Sequence, residues 1–329
     1  MKRFNSLFKL SLTIFVIYIL IKFNIISFRD LIILKDNFTS VALVIFLLFT
    51  TLIIASYKWW ILLKKMNYDI PYLMSYYLYT TGLFFNIFMP GSAGGDLVKG
   101  IYLFKFVKTS QRTNALSTII LDRLIGLHAL LLLTFLSLIY LWEIAFSIIE
   151  IKIMLFLISF LILFIPFFIF LIVIFSDKII TVTSKFNGNI KKKINEIITK
   201  LLISVKLYNG KIISLIICYF LSLLNHVIQI ICFFIVSFIL FGDHAHLIDI
   251  FASSSLSLVI NIIPLTPGGI GLGETAFNFL LQNFSQYSKD IVYGSIFFIT
   301  YRVLFTFVSL AGAYSFIILK KPNKLYKRM

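Results

Sequence analysis

Six charged residues stand inside or at the edge of apolar stretches: Asp96, Lys99, Asp122, Arg123, Glu274 and Arg302. An ionised group in such surroundings costs several kcal/mol or more, so it pairs, lines water or handles a substrate. The six fall into two sets with a common order. In the first, Asn86 precedes Pro90-Gly91, then Gly94-Gly95 and Asp96, with Lys99 beyond and Asp122-Arg123 in the next apolar stretch. In the second, Asn261 precedes Pro267-Gly268-Gly269, then Gly271 and Glu274, with Tyr301-Arg302 in the next apolar stretch. A guanidinium presents two parallel donors that match phosphate or carboxylate. Arg123 and Arg302 are therefore candidates for holding an anionic group. Asp96 and Glu274 would balance them, meet a cationic moiety or carry a proton.

The glycines and prolines between these charges are part of the same argument. Pro removes a backbone donor and Gly allows a sharp turn, so each run opens a helix. A half-helix that begins there points a positive N-terminal end at whatever lies before it, and a phosphate suits such a place. Gly and Pro also serve simple close packing in membrane helices. One such run favours packing; two with matched charges favour a binding site. Asp122 and Arg123 also fit a structural ion pair at the end of a span, whereas Glu274 and Arg302 are harder to explain as packing.

Other candidates carry less. His244 and His246 alternate beside Asp243 and Asp249, but a zinc ion needs three or four convergent ligands and the stretch reads as a solvated loop. His128 and His226 are single polar residues on apolar helices and read as hydrogen-bonded packing. Cys218 and Cys232 share one apolar run and offer no disulfide framework or metal-ligand spacing. No nucleophile motif, phosphate-binding loop or zinc-protease helix occurs. No cofactor, metal or catalytic residue is expected.

The elements that position these residues follow from hydropathy. Of 329 residues 60% are hydrophobic, and mean hydropathy is +1.02. A soluble domain cannot hide so much apolar surface, so the fold class is an all-α polytopic membrane bundle. Runs of about 20 apolar residues match a hydrocarbon layer roughly 30 Å thick. They predict full spans near 7–26, 38–61, 113–141, 152–176, 212–241 and 290–319. Two apolar regions, 71–107 and 250–287, are interrupted by Pro and Gly and do not read as simple spans. A stretch near 185–207, with Ile and Leu at helical spacing between Lys191, Lys192, Lys193 and Lys200, predicts an interfacial helix on an anionic leaflet. Lys2, Arg3 and Lys9 precede a first apolar run with no small-residue cleavage site after it, so that run reads as an uncleaved span.

The net charge of +17 lies mostly in loops and tails. It reads as topology, not as a nucleic-acid surface. Basic loops place both termini, the end of the second span (Lys58, Lys64 and Lys65) and the stretch from Lys178 to Lys211 on the cytoplasmic side; the loops with Glu143 and Glu150, and with Asp243 and Asp249, fall outside. The region 71–107 then begins and ends inside, and 250–287 begins and ends outside. Both read as re-entrant hairpins of opposite orientation, though pairs of short tilted spans would give the same end points. The chain divides into two repeats, 1–142 and 143–329, of inverted topology. Such repeats with interrupted helices are the pattern of secondary transporters, whose site lies where the repeats meet.

At Pro90-Gly91-Ser92-Ala93-Gly94-Gly95-Asp96, joined by Asp122-Arg123-Leu124-Ile125-Gly126-Leu127 and Pro267-Gly268-Gly269-Ile270-Gly271-Leu272-Gly273-Glu274, the chain resembles the flippase-like transmembrane domain of the lysylphosphatidylglycerol synthase/flippase proteins. The resemblance covers essentially the whole chain. It implies a lipid-translocating module whose partners are membrane phospholipids, anionic or aminoacylated. In two-domain relatives a soluble synthase domain makes the lipid; here the chain ends shortly after its last span, so that domain is expected to be absent. Lys99 stands where the family usually carries Arg, which keeps the charge but loses the planar fork. The readings left open are a flippase of the cell membrane, a membrane-embedded transferase with Asp96 or Glu274 as base, and a non-transporting partner of a lipid-modifying enzyme. A second copy of the chain is a further open partner.

Overall fold

The computed structural model describes residues 36–87, 94–183, 211–242, 246–263, 271–284 and 294–320, with side chains to Phe167 in the second stretch. The expected span at 7–26 and the interfacial helix at 185–207 lie outside these residues. All regular structure among the described residues is helical.

Five helical segments are long and apolar enough to cross a membrane. They are α1 (Phe38–Lys65), α4 (Arg112–Tyr140) with the 3-10 turn Thr109–Gln111 leading into it, the first part of α6 (Ile149–Thr183), α7 (Ile212–Phe241), and α10 (Gly294–Ser309) continued by α11 (Ala311–Lys320). The last pair is broken only at Leu310, whose amide still bonds back to Thr306 and Phe307. A short helix α5 (Trp142–Ser147) turns the chain between α4 and α6. The chain is a multi-pass helical membrane protein.

The two interrupted regions form short helix pairs. In the first, α2 (Tyr72–Asn86) has 15 residues and α3 (Gly94–Leu103) has 10. In the second, α8 (Leu247–Asn261) has 15 and α9 (Leu272–Phe284) has 13. Each falls short of the roughly 20 residues a span requires. Within the first pair Gly82 meets Gly95 and Lys99 while Asn86 meets Gly95, so the helices run antiparallel.

Packing clusters show where each pair enters. The start of α2 packs with the end of α1, the end of α3 and Leu319 at the end of α11. That end of the bundle carries Lys64, Lys65, Lys105, Lys108, Arg112, Lys211 and Lys320, and Lys211 Nζ donates to the Lys65 carbonyl. Trp60 meets Tyr57 in a tilted arrangement and Tyr72 edge-on there, at centroid distances of 5.5 and 6.0 Å, and aromatic residues favour such a membrane boundary. The first turns of α8 pack instead with the end of α4, α5 and the start of α6, near Glu143, Glu150 and Asp249. The two helix pairs therefore enter from opposite ends of the bundle.

The packing is also exchanged along the chain. α1 and α7, the span before each pair, lie against each other. α2 packs on α11, and α8 packs on α4, so each pair rests on a span remote from it in sequence. Without a hydrophobic force between helices in lipid, such contacts rely on small residues and hydrogen bonds. Thr80 Oγ1 donates to Ser315 Oγ at 2.8 Å, Ser137 and Ser255 hydroxyls meet at 3.5 Å, and a Cβ on Gly312 would overlap the Thr80 carbonyl oxygen.

Gly312→Leu should wedge α11 away from α2. The expected loss is about 3 kcal/mol, the upper end of the overpacking range, while Ser315→Ala should cost about 1 kcal/mol. Melting of the purified protein in detergent checks the order of the two effects.

Candidate functional site

Both helix pairs end at one cavity of about 450 Å³. Asn86 closes α2 and Asn261 closes α8, and both side chains line it. Lys58, Asp122 and Arg123, from α1 and α4, line the cavity together with Ser222 and His226 of α7 and Arg302 of α10. The remaining wall is largely apolar, including Leu83, Leu127, Leu258 and Phe305.

The local geometry of each half is alike. In α3, Asn86 Oδ1 accepts the Gly95 amide hydrogen at 2.6 Å, which satisfies one of the donors that a helix start leaves open. Only a glycine fits here, because a Cβ at position 95 would overlap the Gly82 carbonyl oxygen. Asp96 follows in the first turn and pairs with Arg123 Nε at 2.5 Å. In α9, the equivalent of Gly95 is Gly273, whose absent Cβ leaves room for the Phe298 ring and lies 3.1 Å from Asn261 Oδ1. Glu274 follows in the first turn, and its Oε2 accepts the Gly271 amide hydrogen at 2.9 Å. This is the reach-back of a capping box. Gly271 itself holds φ +93°, a conformation that favours glycine.

Arg302 completes the second set. Its Nε lies 2.6 Å from Glu274 Oε1 as an ion pair, and its Nη2 donates to Glu274 Oε2 at 3.1 Å. Nη2 also donates to Asn261 Oδ1 at 3.0 Å, and the guanidinium lies over Phe298 at 5.3 Å. The carboxylate-to-arginine separation is 27 residues in the first half and 28 in the second.

Asp122 behaves differently from the sequence reading of an Asp122–Arg123 pair. It bridges Lys58 Nζ at 3.0 Å and Lys99 Nζ at 3.6 Å. Lys58 also donates to the Asp122 carbonyl oxygen at 3.2 Å and to Ser222 Oγ at 3.0 Å, tying α1, α3, α4 and α7 together. Lys99, 2% exposed, lies 3.8 Å over Trp59 and 4.5 Å over Tyr79. The Lys99 ammonium is thus held as a point charge in an aromatic box.

Of the residues singled out in the sequence, Asn86, Asp122, Arg123, Asn261 and Arg302 line the cavity. Asp96, Lys99 and Glu274 stand behind them as ion-pair partners. Gly94, Gly95 and Gly271 shape the helix starts, while Pro90, Gly91, Pro267, Gly268 and Gly269 lie outside the described residues. One amide at each helix start, that of Gly95 and that of Gly271, is taken by Asn86 and by Glu274.

Several cavity residues escaped the sequence reading. Lys58 was grouped with Lys64 and Lys65 as a loop charge, but α1 continues to Lys65 and places Lys58 about two turns deeper. Ser222, Asn225, His226 and Gln229 fall at i, i+3, i+4 and i+7 of α7, one face of the helix. That polar row in an otherwise apolar run was the available signal. His128, by contrast, is packing: its ring nitrogens bond Tyr219 Oη at 3.0 Å and the Ile162 carbonyl oxygen at 3.2 Å. Among the described residues no three metal-ligating side chains converge.

This arrangement defines a class: a multi-pass helical membrane protein with a cavity between its helices that carries paired charges. The family model described as lysylphosphatidylglycerol synthase TM region matches residues 6–312, and the chain belongs to that family. The family is linked to lipid modification or flipping. No curated protein and no solved structure matches the chain.

Removing one partner of a buried ion pair costs about 3–5 kcal/mol, whereas replacing the whole group by apolar residues is close to neutral. Asp122→Asn should therefore lower stability by about that amount. The triple variant Lys58→Met, Lys99→Met, Asp122→Leu should recover most of it, as read by melting temperature in detergent.

Proposed function

We propose that this chain binds the anionic headgroup of a phospholipid or lipid-linked substrate in the cavity and moves that lipid across the cell membrane. The observation that carries the reading is the charge balance at the cavity. Among the described residues Lys58, Lys99, Arg123 and Arg302 face Asp96, Asp122 and Glu274, so four cations meet three carboxylates there, a balance of one positive charge. A single phosphodiester neutralises it. The Arg123 side chain, 42% exposed, offers the most accessible cation. The volume lies within the usual 300–1,000 Å³ of a ligand pocket, and the acyl chains would stay in lipid.

The halves 1–142 and 143–329 act in this reading as inverted repeats, and the helix pairs 71–107 and 250–287 as re-entrant hairpins. Their entry from opposite ends, the exchanged packing and the repeated Asn–carboxylate–Arg geometry support it. Rocking of one half against the other would expose the cavity to each leaflet in turn. The lysine-rich end of the bundle faces the cytoplasm, as loop lysines do, which puts both termini there. Phospholipids are the partners, and an enzyme that modifies the lipid would supply the substrate.

Leaflet exchange of tail-labelled lipids in proteoliposomes tests the proposal, with anionic, zwitterionic and cationic headgroups compared. Wild type should accelerate exchange of the anionic lipid selectively. Arg302→Ala should reduce the rate about tenfold or more, with Arg302→Lys intermediate because it keeps charge without the fork. Selective exchange that persists unchanged in folded Arg302→Ala would overturn the assignment of the site, and no exchange above empty liposomes would overturn the function.

A further inference from the structure

α6 carries a proline in its interior, Pro166, and the helix runs on past it to Thr183. Proline has no amide hydrogen, so the carbonyl four residues back, that of Ile162, loses the partner a continuous helix would give it. In a bilayer such a carbonyl costs several kcal/mol unless another group reaches it. His128 of α4 is that group, with its Nε2 3.2 Å from the Ile162 carbonyl oxygen. A carbonyl oxygen only accepts, so Nε2 carries the hydrogen, and Nδ1 accepts from the Tyr219 hydroxyl of α7 at 3.0 Å. The imidazole is thus aimed by α7 at the carbonyl that Pro166 frees. Up to that point α6 is anchored: Ile151, Leu155, Ile158, Ile162 and Ile165 form a stripe at helical spacing in the apolar cluster shared with α4, α5, α8 and α9. Pro166 and Phe167, next along the helix, are exposed.

We propose that α6 is a hinged span in which Pro166 is the joint and His128, steered by Tyr219, is the latch that fixes the angle of the segment 167–183. Helices bend sharply at prolines, and here the bond that sets the bend comes from a different helix. Breaking it leaves the Ile162 carbonyl without that partner, so the hinge has one latched state and a costlier released one, not a continuum of angles. The latch also borders the cavity. Gly126 and Leu127, beside His128 on α4, line it, and so does Ser222, one turn beyond Tyr219 on α7. Ser222 in turn accepts from Lys58. A shift of α4 against α7 at the cavity therefore makes or breaks the bridge that sets α6. The hinge stands apart from the lipid reading above and needs no ligand to be assigned.

Spin labels on Ser110→Cys and Ser176→Cys in the full-length protein, reconstituted in lipid nanodiscs, read the angle as an electron-electron distance. Ser110 is exposed just before α4, Ser176 lies in α6 beyond the joint, and the native Cys218 and Cys232 are buried away from the label. The parent protein should give one narrow distribution. His128→Phe should broaden it and add a second distance, while His128→Gln, which can still donate to a carbonyl, should keep it narrow. Pro166→Ala returns an amide hydrogen to the Ile162 carbonyl, so in that background His128→Phe should leave the distribution unchanged. Melting in detergent gives a second readout: His128→Phe should lower the midpoint by about 4 °C, and most of that loss should vanish in the Pro166→Ala background. An unchanged distribution in folded His128→Phe overturns the hinge. An equal melting loss with and without Pro166 overturns the latch. Should His128→Phe alone not fold, the double variant with Pro166→Ala should fold, and its failure to do so overturns the latch as well.

Discussion

A charge inside a bilayer must be answered by another charge, and this requirement organises the centre of the molecule. Asp122, 5% exposed, answers two lysines that arrive from different helices. Lys58 reaches it from α1 and Lys99 from α3, and Lys58 continues to Ser222 on α7. Four helices are thereby held in register by three ionised groups. Lipid gives apolar helices no reason to prefer one another over their surroundings. The polar tie supplies the selectivity that hydrophobic burial supplies in a water-soluble core. The positions of α1 and α7, and the depth to which α3 enters, follow from it.

Around α9 the same placement is reached without charge. Lys58 precedes Asn86 by the same 28 residues as Phe233 precedes Asn261. Lys99 follows Asp96 as Phe277 follows Glu274, and Asp122 precedes Arg123 as Tyr301 precedes Arg302. The three counterparts are in contact: Phe233 stacks on Tyr301 at 4.0 Å and on Phe277 at 5.5 Å between centroids. An ionic triad in one half is an aromatic triad in the other. Replacing a buried ion group by packed apolar residues is often neutral for stability, so stability alone does not require the charged version.

How much of this was legible depended on whether a signal is local in the chain. Hydropathy defines the bundle because a span is a contiguous run, and the paired Asn, Gly and carboxylate motifs are contiguous too. They led directly to Asp96 beside Arg123 and Glu274 beside Arg302. Lys58 was not legible because counting lysines towards loops ignores depth: it lies close in sequence to Lys64 and Lys65 but two turns further along α1. The partners of Asp122 were hidden for the same reason, since Lys58 is 64 residues away and only the fold brings it back. The polar row of α7 was visible as spacing, but nothing in the chain said that this face of the helix meets a cavity and not lipid. One amide at each helix start is met from within the chain, by Asn86 and by Glu274, and that short-range contact carries no signal beyond the residue types themselves.

On the proposed reading, the difference between the halves assigns them different work. An aromatic stack has the same energy whether or not an anion is present, so Phe233, Tyr301 and Phe277 hold their half together in every state. The ionic triad does not. Asp122 is shared by two lysines, so a phosphodiester arriving at Lys58 competes with Asp122 for it and leaves Asp122 to Lys99 alone. A ligand shifts a conformational equilibrium only by the difference in its interaction with the two states, and the contact between Lys58 and Asp122 is one that the ligand itself can alter. The first half is then where binding is converted into movement, and the second half is the frame against which it moves.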